Sequence, residues 1–244
     1  MHILVTRPEA DAATLAVPLE AMGHRVSLAP MITIDYCAEL LELSGSAALI
    51  ATSRNGLRAL TGQGAPLPTR ILALPVFVVG PGTAALARSL GFTSVIEGAG
   101  TAAGLVPAIV QHQSVEAGPL VHLAGDQLAF DLKGALSCLG YNLRQPIVYR
   151  SVAATSLPAS VEQDLSRGRI EAVILMSPKS AQTFVNLVKE RGLGEKASQC
   201  QYICLSAAVA EQLESLQPHG IAVAVQPALD GLLQVVSRLA SQAP

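Results

Sequence analysis

Short, mostly apolar runs alternate along the chain with longer stretches in which apolar residues return at helical spacing. The short runs fall at 3–6, 25–28, 47–51, 76–79 and 94–96, and again at 120–124, 142–144, 172–176, 202–205 and 222–225. Apolar runs of that length, with little polar alternation, fit parallel strands buried on both faces. The intervening stretches include 9–22, with Ala10, Leu15, Leu19 and Met22 on one stripe, and also 83–90 and 229–240. Such alternation predicts an α/β fold with open, doubly wound parallel sheets, in which ligands sit beyond the carboxyl ends of the strands.

Two segments break this rhythm. Residues 31–36 (M-I-T-I-D-Y) and 147–152 (I-V-Y-R-S-V) alternate apolar with polar positions, and each follows a proline. They are expected to be extended connectors that pair as a small ladder and act as a hinge between two domains.

The pattern also repeats. I-A-T-S-R-N-G-L-R-A-L (50–60) aligns with I-L-M-S-P-K-S-A-Q-T-F (174–184), and V-V-G-P-G-T-A-A (78–85) aligns with I-C-L-S-A-A-V-A (203–210). The opening I-L-V-T-R finds its partner in V-H-L-A-G. All offsets lie between 116 and 127 and keep their order. Identity between the copies is thin, so duplication competes with the ordinary likeness of β-α units; recurring strand ends, serines and Gly-Leu pairs favour duplication.

Composition narrows the possibilities. Half of the 244 residues are hydrophobic, 14% are charged, 3% are aromatic, and the formal charge is −2. Nucleic-acid binding would call for a basic stripe or aromatic stacking platforms, and neither is present. No apolar stretch is long enough to cross a bilayer, and Arg7 comes too early for a secretory leader, so a soluble cytoplasmic protein is expected. Cys37, Cys138, Cys200 and Cys204 lack metal-site spacing and the five histidines stand singly, so no metal is expected.

The candidate chemistry lies just after the strands. Thr6 and Arg7, then Ser53, Arg54 and Asn55, then Gly82 and Thr83, Gly125, the trio Ser177, Lys179 and Ser180, and Ser206 are small or polar residues placed to open a helix. A hydroxyl at the N-cap, free N–H groups and the helix dipole together favour an anion. Any one of these serines is adequately explained by capping alone. Their number is what points to a ligand with many negative groups. Gly80, Gly82 and Ala85 also satisfy G-x-G-x-x-A, with Glu97 available for a ribose, which keeps a dinucleotide-binding enzyme among the alternatives. Against it, the motif follows a late strand and Pro81 lacks an N–H. Tyr149, on the second connector, could donate a hydrogen bond or a proton to a ligand; packing is the plainer role.

Taken in order, I-L-V-T-R-P-E-A at the start, T-S-R-N-G (52–56), V-G-P-G-T-A-A (79–85), P-I-V-Y-R (146–150) and M-S-P-K-S-A (176–181) resemble the uroporphyrinogen-III synthase family over essentially the whole chain. The resemblance implies two similar flavodoxin-like domains joined by a two-stranded β linker. It places residues 1–31 with 153–244 in one domain and 37–146 in the other, with 32–36 and 147–152 as linker strands. It implies a hydro-lyase that cyclises the linear tetrapyrrole hydroxymethylbilane, with loss of water and inversion of ring D through a spiro intermediate, in haem biosynthesis. No cofactor, nucleic acid or membrane is implied, and the substrate could be handed over transiently by hydroxymethylbilane synthase. Tyr149 matches the family's linker tyrosine and becomes the catalytic candidate; Thr83, Ser53 and Ser177 match strand-end hydroxyls. The family's second glycine-threonine turn reads here Leu205-Ser206-Ala207-Ala208-Val209, and the arginine often found after Gly-Asp is replaced around Gln127. Those departures keep a non-catalytic tetrapyrrole-binding paralogue as the alternative.

Overall fold

The strands of the computed structural model follow the apolar runs: β1 (His2–Val5), β2 (Arg25–Leu28), β3 (Ile32–Tyr36), β4 (Ala48–Ala51), β5 (Val76–Val78), β6 (Val95–Glu97) and β7 (Leu120–His122). There follow β8 (Ala124–Gly125), β9 (Leu143–Arg144), β10 (Ile147–Ala153), β11 (Ala172–Leu175), β12 (Gln201–Cys204) and β13 (Gly220–Val223). The structure describes residues 1–37, 41–61 and 66–242. The chain divides into two units, Met1–Thr33 with Val152–Pro244, and Ile34–Ser151.

The first unit holds a five-stranded parallel sheet in the order β13-β12-β11-β1-β2. Both faces are covered, which is why β1 and β11 are buried at every residue. Leu4, Val173 and Leu175 point into one core with Phe184 and Tyr202, while Ile3, Val5, Ala172 and Ile174 enter the other with Leu15, Leu232 and Val236. Strand pleating forces this division, since alternate side chains emerge on opposite faces.

The second unit repeats the plan with the order β6-β5-β4-β7-β9, again parallel. Leu49, Ala51, Val76, Val78 and Val121 fill one core; Ala48, Ile50, Phe77 and Leu120 fill the other. The two orders pair β4 with β11, β5 with β12 and β7 with β1, the same pairs that the internal sequence repeat aligns. Each half of the repeat thus gives strands to both sheets. In each sheet the chain order reverses at one place, between β1 and β11 in the first unit and between β4 and β7 in the second. Open α/β sheets bind ligands outside the strand ends at such a switch point.

The two connectors do form strands, with β10 between β3 and a third strand, β8. The apolar run 120–124 therefore splits. β7 stops at His122, and Ala124–Gly125 leaves the main sheet to pair in parallel with β10, Ala124 opposite Ile147 and Gly125 opposite Tyr149. The run 222–225 also shifts, since β13 covers Gly220–Val223 and Val225 is 91% exposed. β13 is an edge strand, so the end of its run has no neighbour on one side to hold it in the ladder.

Candidate functional site

In the second unit, β4 runs out at Ala51, and Thr52 and Ser53 lead into the helix Arg54–Leu60. Ser53 is extended, and its Oγ accepts the Asn55 N–H at 3.2 Å, an N-cap of the usual kind. The Asn55 side chain accepts from Arg58 Nη1 at 3.2 Å. Gly56 lets this helix close on the strand beside it, because a Cβ there would stand 2.5 Å from the Leu123 carbonyl oxygen. The helix start is thereby pressed against the carboxyl end of β7, across the switch point.

Tyr149 reaches the same place from β10. Its ring lies on Gly125, where a Cβ would come within 2.6 Å of Cζ and 2.8 Å of the hydroxyl oxygen. Glycine here makes room for the ring. The Tyr149 and Ser53 hydroxyls share a hydrogen bond. Ser53 Oγ also accepts the Asn55 N–H, and with its second lone pair and its own proton it can either accept from or donate to the Tyr149 hydroxyl. Burial raises the Tyr149 pKa above its ordinary value, the Ser53 bond lowers it in part, and the negative charge of Asp126 raises it. The phenol therefore holds its proton throughout the physiological range. Asp126 fixes the strand: its N–H donates to the Tyr149 carbonyl at 3.1 Å and its Oδ1 accepts the Ser151 N–H at 3.1 Å.

One residue at this site went unmarked in the sequence. His122, the last residue of β7, is 2% exposed, with Nε2 at 3.0 Å from Thr52 Oγ1 and Nδ1 at 3.2 Å from Gln145 Oε1. Burial lowers its pKa, and only the Gln145 bond opposes that. A histidine inside an otherwise apolar strand was the signal available in V-H-L-A-G.

The next strand end carries the glycine motif. Gly80 precedes the helix Pro81–Ser89 in extended conformation, and the Thr83 N–H turns back to the Gly80 carbonyl at 3.1 Å. Thr83 is buried, whereas Gly82 is exposed and leaves its N–H at the open helix end. The motif follows β5, one strand away from the switch point. Glu97, the acid a ribose would need, is ion-paired with Arg88 at 2.9 Å. Both facts weigh against a dinucleotide.

In the first unit the strand ends divide by role. Thr6 is 1% exposed and donates to the Ile174 carbonyl at 2.8 Å, so its hydroxyl braces β1 to β11. Arg7 lies 3.6 Å from Asp11 and donates to Thr14 at 3.2 Å. Ser177 caps the helix Pro178–Glu190, accepting the Ser180 N–H at 3.1 Å and donating to the Ser180 hydroxyl at 2.8 Å; Ser180 is buried and Lys179 half-buried. Ser206 stands where a cap would, before the short helix Ala207–Glu211, but makes no side-chain cap bond. The caps expected at Ser53 and Ser177 are made, and the one expected at Ser206 is not.

A cavity of about 420 Å³ in the second unit is lined by Cys37, Leu41, Glu42, Arg144, Gln145 and Ile147, among others. None of the expected site residues borders it. The Arg144 guanidinium holds the Glu42 and Ser44 carbonyls at 3.3 Å and the Ser46 hydroxyl at 2.8 Å, which braces this unit's own backbone. Among the described residues no group of His, Cys, Asp and Glu side chains could hold a metal ion, and no helix is long and apolar enough to cross a membrane. Cys200 and Cys204 are buried, which pushes their thiols up to about 11 and about 12.

Fold and site together define a class: a two-unit α/β protein built from a duplicated parallel-sheet plan, with capped helix starts and a protonated tyrosine at a switch point. The model of the family described as "Uroporphyrinogen-III synthase HemD" matches residues 13–234, and the chain belongs to that family. Membership makes it a hydro-lyase of tetrapyrrole biosynthesis acting on a small-molecule tetrapyrrole. Solved structures agree in fold. A uroporphyrinogen-III synthetase from Helicobacter pylori superposes with a TM-score of 0.67 at 16% identity, covering 98% of this chain and 99% of that one. A mutant uroporphyrinogen III synthase from Thermus thermophilus gives 0.57 at 17% identity, covering 100% of both chains. No curated protein sequence matches the chain.

Proposed function

We propose that Tyr149 is the proton donor of a dehydrative ring closure, and that capped strand ends hold the substrate's carboxylates. The observation that carries this reading is the buried Tyr149 hydroxyl. It is kept protonated, seated on Gly125 and steadied by Ser53 at the switch point of the second unit. In hydroxymethylbilane the ring A hydroxyl is a poor leaving group until it gains a proton. Tyr149 supplies that proton as the C–O bond breaks, the pyrrole nitrogen lone pair stabilises the cation left behind, and water departs. Ring D then attacks through its substituted carbon to give the spiro intermediate, which fragments and recloses with ring D inverted. The proton lost as aromaticity returns restores Tyr149, so the net change is loss of one water.

The rest is conformational control. Pyrrole chemistry is fast once the cation forms, and the enzyme's task is to hold the chain folded for attack at the substituted carbon. Acetate and propionate arms suit uncharged donors at helix starts: the Gly82 N–H with Thr83, and the turns led by Ser53 and Ser177. Lys179, Arg7 and Arg54 add positive charge close to those turns. Ser206 contributes main-chain donors, and Thr6, Gly125, Ser180 and Asn55 shape the turns from within. In the cell this reading has the chain working in the cytoplasm on substrate released by hydroxymethylbilane synthase.

The test is isomer analysis. Purified protein given hydroxymethylbilane should yield the type III product, whereas spontaneous closure yields type I. Binding without a change in isomer ratio would identify a tetrapyrrole-binding paralogue instead. A rise in thermal midpoint with a dinucleotide would favour the remaining alternative.

A further inference from the structure

His122 occupies a position that the ring closure itself does not call for. It is buried in the strand that borders the switch point, where an apolar side chain would satisfy packing. An amide oxygen only accepts, so the bond to Gln145 Oε1 puts the imidazole proton on Nδ1 and leaves the Nε2 lone pair for the Thr52 hydroxyl. Thr52 is the neighbour of Ser53. Gln145 leads through Pro146 into β10, the strand that carries Tyr149. One neutral ring therefore ties together the two backbone segments whose hydroxyls meet.

We propose that neutral His122 is a positioning residue, clamping Thr52 to Gln145 and thereby setting how the Ser53 hydroxyl approaches that of Tyr149. The inference rests on Tyr149 as the proton donor. Protonating Nε2 would reverse the Thr52 bond and put a charge among apolar strands. The charged side chains on neighbouring elements are Arg144 on β9, Asp126 after β8, and Arg54 and Arg58 on the helix after β4; burial is the first cause acting on His122 and the Gln145 bond opposes it. Burial thus keeps the clamp in its working state at neutral pH, and it fails only on the acid side of the ordinary value, 6.5.

The full chain tests this as wild type, His122→Leu and His122→Gln, with type III formation followed from about pH 5 to about pH 8. Wild-type turnover should fall along an acid limb below 6.5. His122→Leu should lose about fivefold in turnover at neutral pH, the worth of one hydrogen bond, with KM little changed and that limb absent. His122→Gln, whose amide oxygen still accepts from Thr52 but does not titrate, should lose less and also lack the limb. Nitrogen-15 shifts of the wild-type ring should show the Nδ1–H tautomer. An acid limb that survives in both variants, or an Nε2–H tautomer, overturns the clamp; if the Leu variant does not fold, the Gln variant and the ring shifts decide. Tyr149→Phe measured alongside separates the two ideas. Full turnover there removes the reading beneath the clamp, whereas an impaired Tyr149→Phe beside a normal His122→Leu removes the clamp alone.

Discussion

One added carbon at Gly125 would test whether Tyr149 is the working hydroxyl. An alanine Cβ there would lie 2.6 Å from Tyr149 Cζ and 2.8 Å from both Cε2 and the hydroxyl oxygen, where ordinary contact begins at 3.4 Å. Something must retreat by the better part of an ångström. The main chain is poorly placed to do so, because Gly125 pairs with Tyr149 in the ladder and the Asp126 N–H holds the Tyr149 carbonyl at 3.1 Å. The ring must swing instead, which pulls the hydroxyl off Ser53. Overpacking of this sort costs about 1–3 kcal/mol of stability, and displacing a reacting group by about 1 Å costs up to about a hundredfold in rate.

Gly125→Ala should therefore form the type III isomer about tenfold to a hundredfold more slowly, with spontaneous type I closure as the internal reference and thermal denaturation run in parallel. The decisive comparison is the double variant. Tyr149→Phe keeps the ring and lacks the hydroxyl; alone it should lower turnover about a hundredfold, the low end of what one general acid supplies. If Gly125 affects rate only by seating that hydroxyl, adding Gly125→Ala to Tyr149→Phe should change turnover little, because residues acting as one unit are not additive. Penalties that multiply, or a folded Gly125→Ala of normal activity, would refute the reasoning.

Other outcomes follow from the same structure. Ser53→Ala should cost about 1 kcal/mol of stability through the lost N-cap, seen in denaturation midpoints, and should move Tyr149 ionisation to still higher pH in an ultraviolet titration. Thr83→Ala should raise KM more than it lowers turnover if the Gly82-Thr83 turn serves uniform binding; the opposite split would place Thr83 in the transition state. His2, His24 and His122 all have pKa values lowered, with burial the first cause. The unfolded chain therefore takes up protons first as pH drops below 6.5, so stability is greatest above that value and declines toward the depressed folded values; a denaturant midpoint that rose on acidification would contradict this. A thiol reagent should modify exposed Cys138 quickly in native protein and reach Cys200 and Cys204 only after unfolding.

Much of the fold was written in periodicity. Runs such as those at 47–51 and 172–176 are apolar because both sheet faces are covered, and a strand buried in that way needs no alternation. Strand order was a different matter. Repeat offsets are the same whether each half folds on itself or lends strands to the other, so only the pairings show that β1 and β2 join β11, β12 and β13. Local pattern also missed β8. Leu120 to Ala124 reads as one apolar run, and its break at Leu123 comes from pairing with β10, which residues more than twenty positions away determine.

The site was legible where chemistry follows from a residue's place after a strand, as with the Ser53 and Ser177 caps. It was illegible where a side chain's partner lies elsewhere in the sequence. Thr6 has the look of an anion-binding hydroxyl, yet its bond to the Ile174 carbonyl turns it inward. Gly125 looks like a flexible turn residue, and its use is to leave space for one aromatic ring. The glycine-rich V-G-P-G-T-A-A, the most conspicuous motif in the chain, follows β5, away from the reversal of strand order, while the quieter T-S-R-N-G and V-H-L-A-G lie on either side of that reversal. A glycine motif marks where backbone can approach an anion. A switch point marks where two helix starts part and leave room for a ligand to react. The two need not coincide, and here the tyrosine, serine and histidine gather at the second.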